Sequence, residues 1–275
     1  MREHMLVVDL SSGKMRREEI PPELLRAYLG GRGLGVRLLR GRHTLSPFDP
    51  AMPIVFAVGP LCGTPAPTSA RLSVVSRSPL TGTVYDCSAG GRFAWRLRAA
   101  GLLAILVEGK SPRPVVLAIT SAGEEIVPAD ALCGKDVGET ARAISSRGSV
   151  AAIGPAGENG VLFSSIMMGE GNAVGRGGLG AVMGSKNLKA VAVDGDLRTP
   201  VADPDRFDRA RADVMRLFRA SPVIFGELGI SEYGTPALVD LMRQRRMAPT
   251  ENFRRTVFED SSAYSGPAIR AAYGA

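Results

Sequence analysis

Residues 54–60, Ile-Val-Phe-Ala-Val-Gly-Pro, are echoed by residues 150–155, Val-Ala-Ala-Ile-Gly-Pro, and this repeat indicates a duplicated fold. A second pair follows in the same order, because residues 102–109 read Leu-Leu-Ala-Ile-Leu-Val-Glu-Gly and residues 188–195 read Leu-Lys-Ala-Val-Ala-Val-Asp-Gly. Each half is predicted to run strand, Gly-Pro turn, strand, Gly-rich entry to a helix, strand. Two similar halves predict a pseudo-two-fold architecture, which would suit a ligand built from two similar units.

Apolar runs bounded by Gly, Pro or Asp complete the predicted secondary structure. Pro22 favours the start of a helix, Gly30-Gly31 favours its end, and a second short helix is predicted over residues 36–40. The predicted strands are residues 5–10, 54–59, 71–76, 83–87, 103–108, 114–119, 124–127, 149–153, 161–166 and 189–194.

The character of the sequence changes after about Asp203. Pro204 opens a charged amphipathic pattern, and residues 233–246 read as another helix. We therefore expect an α+β fold with two parts. A β-rich N-terminal domain of two sheets spans residues 1–200, and the helical start of a second, incomplete domain spans residues 201–275. Asp194-Gly195-Asp196 and Pro200 are expected to join them.

Composition excludes several classes of partner. The chain of 275 residues is 45% hydrophobic and 22% charged, as in ordinary globular proteins. Its net charge is +7, but no basic run is interleaved with aromatic residues, so nucleic-acid binding is disfavoured. No apolar run reaches the roughly 18 residues of a membrane helix. We expect a soluble, cytoplasmic protein without membrane or nucleic-acid partners.

The three cysteines, Cys62, Cys87 and Cys133, lie far apart in the sequence without a CxxC pair. This pattern favours buried small hydrophobic residues in a reducing cytoplasm over metal or cluster ligands.

Glycine supplies 33 of the 275 residues, about 12%, and much of the excess is clustered. The clusters span residues 30–35, 90–92 and 169–180. Glycine-rich loops let backbone N–H groups approach a ligand closely, and with Arg32, Arg71 and Arg176 they predict an anion-binding cradle. Tight turns and solvated arginines are the alternative explanation. Two clusters occupy equivalent places of the repeat, which favours the cradle.

Reaction chemistry is much less evident than binding chemistry. His4 and His43 lie in predicted surface segments, and no catalytic residue is predicted. Asp86, Glu158 and Glu170 lie near the glycine-rich loops and could contact a ligand, although solvated turn carboxylates are the more common role. Gly33-Leu34-Gly35 does not follow a long strand, so a dinucleotide fingerprint, and with it a nucleotide-binding regulator, is disfavoured.

Several ordered segments closely resemble the first domain of aldehyde ferredoxin oxidoreductases, and the resemblance covers about residues 5–195. A weaker likeness, at residues 233–235 and 249–253, suggests the start of that family's second, helical domain. The matching segments are residues 29–35, 59–60, 67–71, 78–82, 153–159 and 175–190, the last reading Gly-Arg-Gly-Gly-Leu-Gly-Ala-Val-Met-Gly-Ser-Lys-Asn-Leu-Lys-Ala.

The resemblance implies a base of two sheets that carries a tungsten or molybdenum bis-pterin centre. In such enzymes a Mg²⁺ bridges the two pterin phosphates with help from backbone carbonyls, and Ser88 and Ala173 occupy the matching positions. Arg71 matches a phosphate-contacting arginine. Asn172 stands where a basic residue is expected, and Ser88 where Asn is expected. The implied cofactor contacts are Arg32, Gly33, Arg71, Ser88, Ala89, Gly90, Gly91, Asn172, Ala173, Val174, Gly175, Arg176 and Gly177.

The same resemblance implies oxidation of an aldehyde to a carboxylic acid, with electrons passed to ferredoxin through a [4Fe–4S] cluster. In the family, the cluster cysteines and the Glu and His thought to handle protons follow the region equivalent to Ala275. We therefore expect the chain to need missing or separately encoded C-terminal domains. A non-catalytic cofactor-binding module, or an inactive fragment, is the alternative.

Overall fold

The computed structural model describes residues 2–169 and 171–274. Two six-stranded sheets form the frame of its first unit. The first sheet contains β1 (His4–Asp9), β2 (Lys14–Glu19), β3 (Ile54–Val58), β4 (Leu72–Arg77), β5 (Val84–Ala89) and β6 (Leu102–Glu108). The second sheet contains β7 (Val115–Thr120), β8 (Gly123–Pro128), β9 (Ser149–Ala152), β10 (Ile166–Met168), β11 (Asn172–Val174) and β12 (Leu188–Asp194).

The two sheets have equivalent strand orders. The first reads β2-β1-β6-β3-β4-β5 and the second, from the opposite end, reads β8-β7-β12-β9-β10-β11. In both, the pair β1-β6 or β7-β12 is parallel and every other neighbouring pair is antiparallel. Even an irregularity recurs, because the pairing skips Leu103 in β6 and the equivalent Lys189 in β12. The predicted α+β fold with two related sheets is confirmed.

Short helices connect the strands of the first unit, Met1–Val201, while the second unit, Ala202–Ala275, is helical. Among the described residues, no helix is both long and apolar enough to cross a membrane. The helices of the first unit are α1 (Pro22–Tyr28), α2 (Gly31–Leu38), α3 (Arg92–Ala99), α4 (Val137–Ala143), α5 (Pro155–Glu158) and α6 (Leu179–Ser185). The second unit contains α7 (Pro204–Ala220), α8 (Ile230–Tyr233), α9 (Leu238–Gln244) and α10 (Gly266–Tyr273), with 3-10 turns between them.

The repeated apolar segments form the centre of each sheet. Every residue of β3 is buried, as are all but the last residues of β6 and β12. Burying each Val, Leu or Ile side chain contributes about 1.5–3 kcal/mol, so these continuous runs drive formation of the core. The charged edge strand β2 was not predicted, because its sequence, Lys-Met-Arg-Arg-Glu-Glu, contains no apolar run. Arg17 of β2 pairs with Glu124 of β8 at 2.6 Å, which links the outer edges of the two sheets.

The helix predicted over residues 36–40 begins earlier than predicted, since α2 starts at Gly31. Glycine is a poor helix former, but close packing explains its place here. A Cβ on Gly35 would lie 2.5 Å from Cγ2 of Val75, and one on Gly30 would lie 2.7 Å from the Val58 carbonyl oxygen. The glycines thus let α2 lie directly on the first sheet, and this tertiary contact outweighs their low helix propensity.

The predicted strand over residues 161–166 is also wrong in most of its length. The Val161 N–H donates to the Ala156 carbonyl and the Ser164 N–H to the Val161 carbonyl, each at 2.9 Å, so the segment turns. Only Ile166 continues into β10. Phe163 is 71% exposed, which shows that an apolar sequence run need not face the core. The glycine-flanked strand β11 was not predicted, because the Gly content of its surroundings favours a loop.

Residues 195–199 pack on the first unit and do not form a free linker. The Arg96 side chain donates to the Gly195 carbonyl at 2.8 Å, and the Leu197 N–H donates to the Ala99 carbonyl at 2.9 Å. A side chain on Gly195 would overlap the backbone at the end of α3. The connection between the units therefore begins only after these contacts end.

The second unit departs from its prediction at one point. Asp203 caps α7 by accepting from the Arg206 N–H at 2.9 Å, as the Asp-Pro start suggests. The predicted helix over residues 233–246 is interrupted, because Gly234 has a φ of 63° and a 3-10 turn follows at Thr235–Ala237. Only α9 continues the predicted helix.

The three cysteines differ in their surroundings. Cys62 is buried and donates to the Ala94 carbonyl at 3.2 Å, and burial raises the pKa of its thiol to about 11. Cys87 is half-buried and Cys133 is exposed, so the prediction of three buried cysteines is wrong for Cys133.

Lys186 is a buried cation at the end of α6. Its Nζ donates to the carbonyl of Pro50 at 3.0 Å and to that of Gly109 at 3.3 Å, so it ties the second half of the repeat to turns of the first. Desolvation by burial lowers its pKa from 10.5 to about 8, and the nearby Glu108 carboxylate opposes this shift.

This pKa predicts an unusual pH dependence of stability. Below about pH 8 the folded chain bears the full cost of the buried charge. Between pH 8 and 10.5 the unfolded chain holds the proton that the folded chain has lost, so the Lys186 contribution to stability rises with pH. Urea unfolding of wild type and Lys186→Met at pH 7 and 10.5 should reveal a relative gain for wild type on the order of 3 kcal/mol. The exposed Lys110→Met control should keep the wild-type pH profile, and an identical profile for Lys186→Met would contradict the assignment.

Candidate functional site

The candidate site lies where the inner edges of the two sheets meet. β5 is the last strand of the first sheet, β11 is the last strand of the second, and the two lie side by side. Each edge strand leads into a glycine-containing loop and then a helix, α3 after β5 and α6 after β11. Ser88 lies on β5 and Ala173 on β11. The contact between these strands therefore brings together two predicted site residues that are far apart in the sequence.

Arg71 and Asn172 converge over the loop that follows β5. A Cβ on Gly90 would lie 3.5 Å from both Nη1 of Arg71 and Oδ1 of Asn172. At Gly91, whose φ is 106°, a Cβ would lie 2.8 Å from Nδ2 of Asn172. The two glycines thus leave a surface without side chains, and donors from both halves of the repeat reach it.

The three predicted arginines have different partners. Arg32, at the start of α2, pairs with Asp86 of β5 at 2.7 Å, and its side chain is 68% exposed. An exposed pair of this kind contributes little to stability, but it neutralises one charge of the cradle. Within the described residues, Arg71 and Arg176 make no ion pair, and both are exposed. These two guanidinium groups remain available to an anion.

Of the predicted carboxylates that the structure describes, Asp86 lies on β5 at the site and Glu158 does not. Asp86 is the partner of Arg32, whereas Glu158 forms an ion pair with the buried Lys189 and accepts the Gly134 N–H at 2.9 Å. Glu170 lies outside the described residues. In the rest of the chain no group of three or more His, Cys, Asp or Glu residues could hold a metal ion.

Ser73 is a site neighbour that the sequence reasoning missed. Its Oγ lies 3.1 Å from the Ser88 Oγ, and a Cβ on Gly31 would lie 3.7 Å from it. Ser73 therefore connects α2 to β5 beneath the cradle. Its position two residues after Arg71, in an apolar strand, is the signal that could have identified it.

Gly177 holds the loop after β11 against residues of the first sheet. Its carbonyl accepts from the Ser78 Oγ at 2.7 Å, its φ is 80°, and a Cβ on it would overlap the Tyr85 ring. Gly175 is different, since a Cβ there would make an ordinary contact of 3.7 Å with Ala173. The loop thus combines an anchored half with an exposed half that contains Arg176.

Alanine substitutions in this loop should separate the two halves. Gly177→Ala is expected to destabilise the chain by about 2–4 kcal/mol, because it strains a left-handed φ and overlaps Tyr85. Gly175→Ala should change stability by less than about 0.5 kcal/mol. Adding Tyr85→Leu to Gly177→Ala should recover part of the loss. Urea titrations measure all three, and equal midpoints for the two alanine variants would show that Gly177 is not an anchor.

Comparison with known proteins agrees with this geometry. A family model described as the N-terminal domain of aldehyde ferredoxin oxidoreductase matches residues 5–195. The chain is 42% identical over 273 residues to a tungsten-containing aldehyde ferredoxin oxidoreductase of Pyrococcus furiosus, covering 97% of this chain and 45% of the relative. It is 31% identical over 255 residues to the WOR-like subunit of an aliphatic sulfonate oxidoreductase of the same organism, covering 85% of this chain and 40% of the relative.

A solved structure has the same fold. The active-site complex BamBC of benzoyl coenzyme A reductase, solved with 1,5-dienoyl-CoA, superposes with a TM-score of 0.79 and 35% identity. The match covers 87% of this chain and 40% of that one, and the chain likewise spans less than half the length of the curated relatives. Since the family model matches well over half of the chain, the chain belongs to the aldehyde ferredoxin oxidoreductase family through its N-terminal domain.

Proposed function

We propose that the chain is the cofactor-cradling N-terminal part of a tungsten enzyme that oxidises an aldehyde to a carboxylic acid. The observation that carries the proposal is that β5 and β11, the equivalent edge strands of a duplicated fold, lie side by side. Glycine loops follow both strands, and two arginines at this place have no ion-pair partner among the described residues. The chain is 42% identical to a relative named for aldehydes and 31% identical to one named for aliphatic sulfonates, which supports an aldehyde as substrate.

The residues present fit a bis-pterin cofactor. Its two pterins match the two equivalent halves of the repeat. Because Gly90 and Gly91 have no side chains, the loop after β5 leaves its backbone open to a ligand. The phosphates require cationic donors, which Arg71 and Arg176 supply through geometry suited to bidentate contact. Because the relatives are named as tungsten-containing, tungsten is the metal we propose in preference to molybdenum.

Individual contacts follow from these positions. Arg71 would hold a pterin phosphate, and the backbone carbonyls of Ser88 and Ala173 would help to hold the bridging Mg²⁺. The replacement of Asn by Ser at position 88 leaves a carbonyl ligand unchanged. Asn172 offers a neutral amide in place of a charged donor, so it would contribute a weaker phosphate contact. Together with Arg71, Ser88, Asn172 and Ala173, the proposed contacts are Arg32, Gly33, Ala89, Gly90, Gly91, Val174, Gly175, Arg176 and Gly177.

When bound, the tungsten centre supplies the two-electron chemistry of aldehyde oxidation. The residues of this chain bind and orient that centre and exclude other ligands from its phosphates. We propose that C-terminal domains, in the same or a separate chain, complete the substrate site and provide the [4Fe–4S] cluster that passes electrons to ferredoxin. The free thiols of the three cysteines support a reducing compartment, the cytoplasm.

Metal and pterin analysis of the complex that contains this chain tests the proposal. Affinity purification from the native host, followed by elemental mass spectrometry and pterin fluorescence, should detect tungsten and pterin. Absence of tungsten, molybdenum and pterin would overturn it. Deleting the chain should abolish oxidation of an aldehyde in extracts of that host; undiminished oxidation would instead favour a non-catalytic module.

Substituting Arg71 should reduce cofactor retention in that complex. Loss of a charge-assisted phosphate contact weakens binding by roughly tenfold or more, so Arg71→Ala should lower the tungsten and pterin recovered per chain. Arg71→Lys should lose less, since it keeps the charge but not the planar fork. The exposed Arg113→Ala serves as the matched control and should retain wild-type amounts. Equal retention in Arg71→Ala and Arg113→Ala would remove Arg71 from the site.

A further inference from the structure

The second unit has almost no hydrophobic core of its own. Among its described residues, 202–274, Ala237 is the one buried hydrophobic residue, whereas every residue of β3 in the first unit is buried. Even a domain of about 60 residues normally buries roughly 60% of the surface that its unfolded chain exposes. Large side chains stay exposed here instead, among them Phe225 at 51%, Met247 at 64% and Phe253 at 81%. The unit therefore lacks the buried apolar surface that holds helices together.

The helix α7 shows this deficit most clearly. It has 17 residues, and none of them is buried. An isolated helix of such a length is marginal in water, because most helical stability in proteins comes from packing an apolar face. Val214 of α7 is 37% exposed and Leu217 is 67% exposed. A surface that covers these side chains would stabilise the helix.

The apolar residues of α7 lie on one side of the helix, within an arc of about 160° at 100° per residue. They are Phe207, Ala210, Val214, Met215, Leu217 and Phe218. A stripe wider than about 100° is typical of a helix that faces a hydrophobic core. The sequence of α7 is thus that of a core-facing helix, although the described residues provide no core for it.

Charge narrows the kind of partner that fits this face. Five of the 17 residues are Arg and three are Asp, and Arg211 lies within the apolar arc. Arg211 is exposed and makes no ion pair with any residue that the structure describes. A second copy of the chain would bring its own net charge of +7 towards this helix. A partner with an apolar groove and a carboxylate opposite Arg211 fits better than a second copy.

The relatives contain enough additional chain to form such a groove. The match to the Pyrococcus furiosus aldehyde ferredoxin oxidoreductase covers 97% of this chain, so it includes α7, but it covers only 45% of the relative. More than half of that relative therefore lies outside the match and is available to cover the helix.

We propose that α7 docks through its apolar face into a groove between helices of the C-terminal domains, with Arg211 on a carboxylate of that groove. The inference rests on the proposed function, which requires those domains. Docking buries Val214 and Leu217 and supplies the core that the second unit lacks. The second unit and the C-terminal domains then form one hydrophobic core across the interface.

Hydrogen exchange followed by mass spectrometry tests the docking, measured on the complex purified from the native host and on the chain of 275 residues alone. We expect the amides of α7 to exchange at least about a hundredfold more slowly in the complex, while β3 and β6 are protected in both samples. The double variant Val214→Gln/Leu217→Gln should lower the protection of α7 in the complex by at least about tenfold, because two apolar contacts are lost. Ala212→Gln, on the polar side of the helix, should stay within about twofold of wild type.

A second pair of variants tests the charge. Arg211→Glu should lower the protection of α7 in the complex by about tenfold or more, because it places like charges opposite each other at the interface. Arg209→Glu makes the same change on the polar side and should leave the protection within about twofold. The exchange of β3 and β6 shows whether each variant is folded. Equal effects of Arg211→Glu and Arg209→Glu would remove the carboxylate from the groove.

Several outcomes would overturn the docking. One is equal exchange of α7 in the complex and in the chain alone, and another is unchanged protection in a folded Val214→Gln/Leu217→Gln complex. A native complex without the C-terminal domains would also overturn it. So would a dimer of the chain alone, detected by light scattering, in which α7 is fully protected, since the occupant would then be a second copy.

Metal analysis separates this inference from the proposed function. A complex that contains the C-terminal domains and a protected α7, but no tungsten, molybdenum or pterin, would retain the docking and remove the function. A tungsten-containing complex in which α7 exchanges as in the chain alone would retain the function and remove the docking.

Discussion

Close backbone contact at glycine is the constraint on which the rest of the first unit depends. A side chain on Gly178 would overlap the Leu162 carbonyl, and one on Gly184 would overlap the Gly157 carbonyl. A side chain on Gly195 would overlap the end of α3. Each contact lets a helix or loop lie directly on the backbone of its neighbour. Gly177 extends this packing to the place where β5 and β11 meet, because its carbonyl accepts from the Ser78 Oγ and a Cβ on it would overlap Tyr85 of β5.

The glycine clusters therefore serve packing as well as binding. Gly35 and Gly177 are required because neighbouring side chains leave no room, and the same holds for Gly91 beside Asn172. Gly90 differs, since it faces the surface where Arg71 and Asn172 converge and a Cβ there would make only ordinary contacts. A cluster near a binding site is thus partly scaffold and partly lining. The distinction matters for mutagenesis, because a side chain at Gly90 would make ordinary contacts, whereas side chains at Gly35, Gly91 and Gly177 would also strain the fold.

Charge is distributed unevenly around the cradle. Arg32 is neutralised by Asp86, while Arg71 and Arg176 have no ion-pair partner in the described part of the chain. Asn172 stands where the family resemblance leads us to expect a basic residue, and it brings no charge to the cradle. The charge that the cradle can offer to an anion therefore comes from Arg71 and Arg176.

The sequence by itself determined the duplicated fold. The repeated apolar segments form the buried centres of the sheets, and the apolar character that drives their burial can be read from residue type alone. It also determined the family, through long glycine-rich segments that occur in the family's order, and through that resemblance it predicted that Arg71, Ser88 and Ala173 belong to one site. Tertiary structure alone decided that α2 begins at Gly31, that residues 161–165 turn, and that Ser73 lies beneath the cradle. It also decided which charges are paired, such as Arg32 with Asp86 and Glu158 with Lys189. These features depend on contacts between residues far apart in the chain, and local propensity carries no information about such contacts.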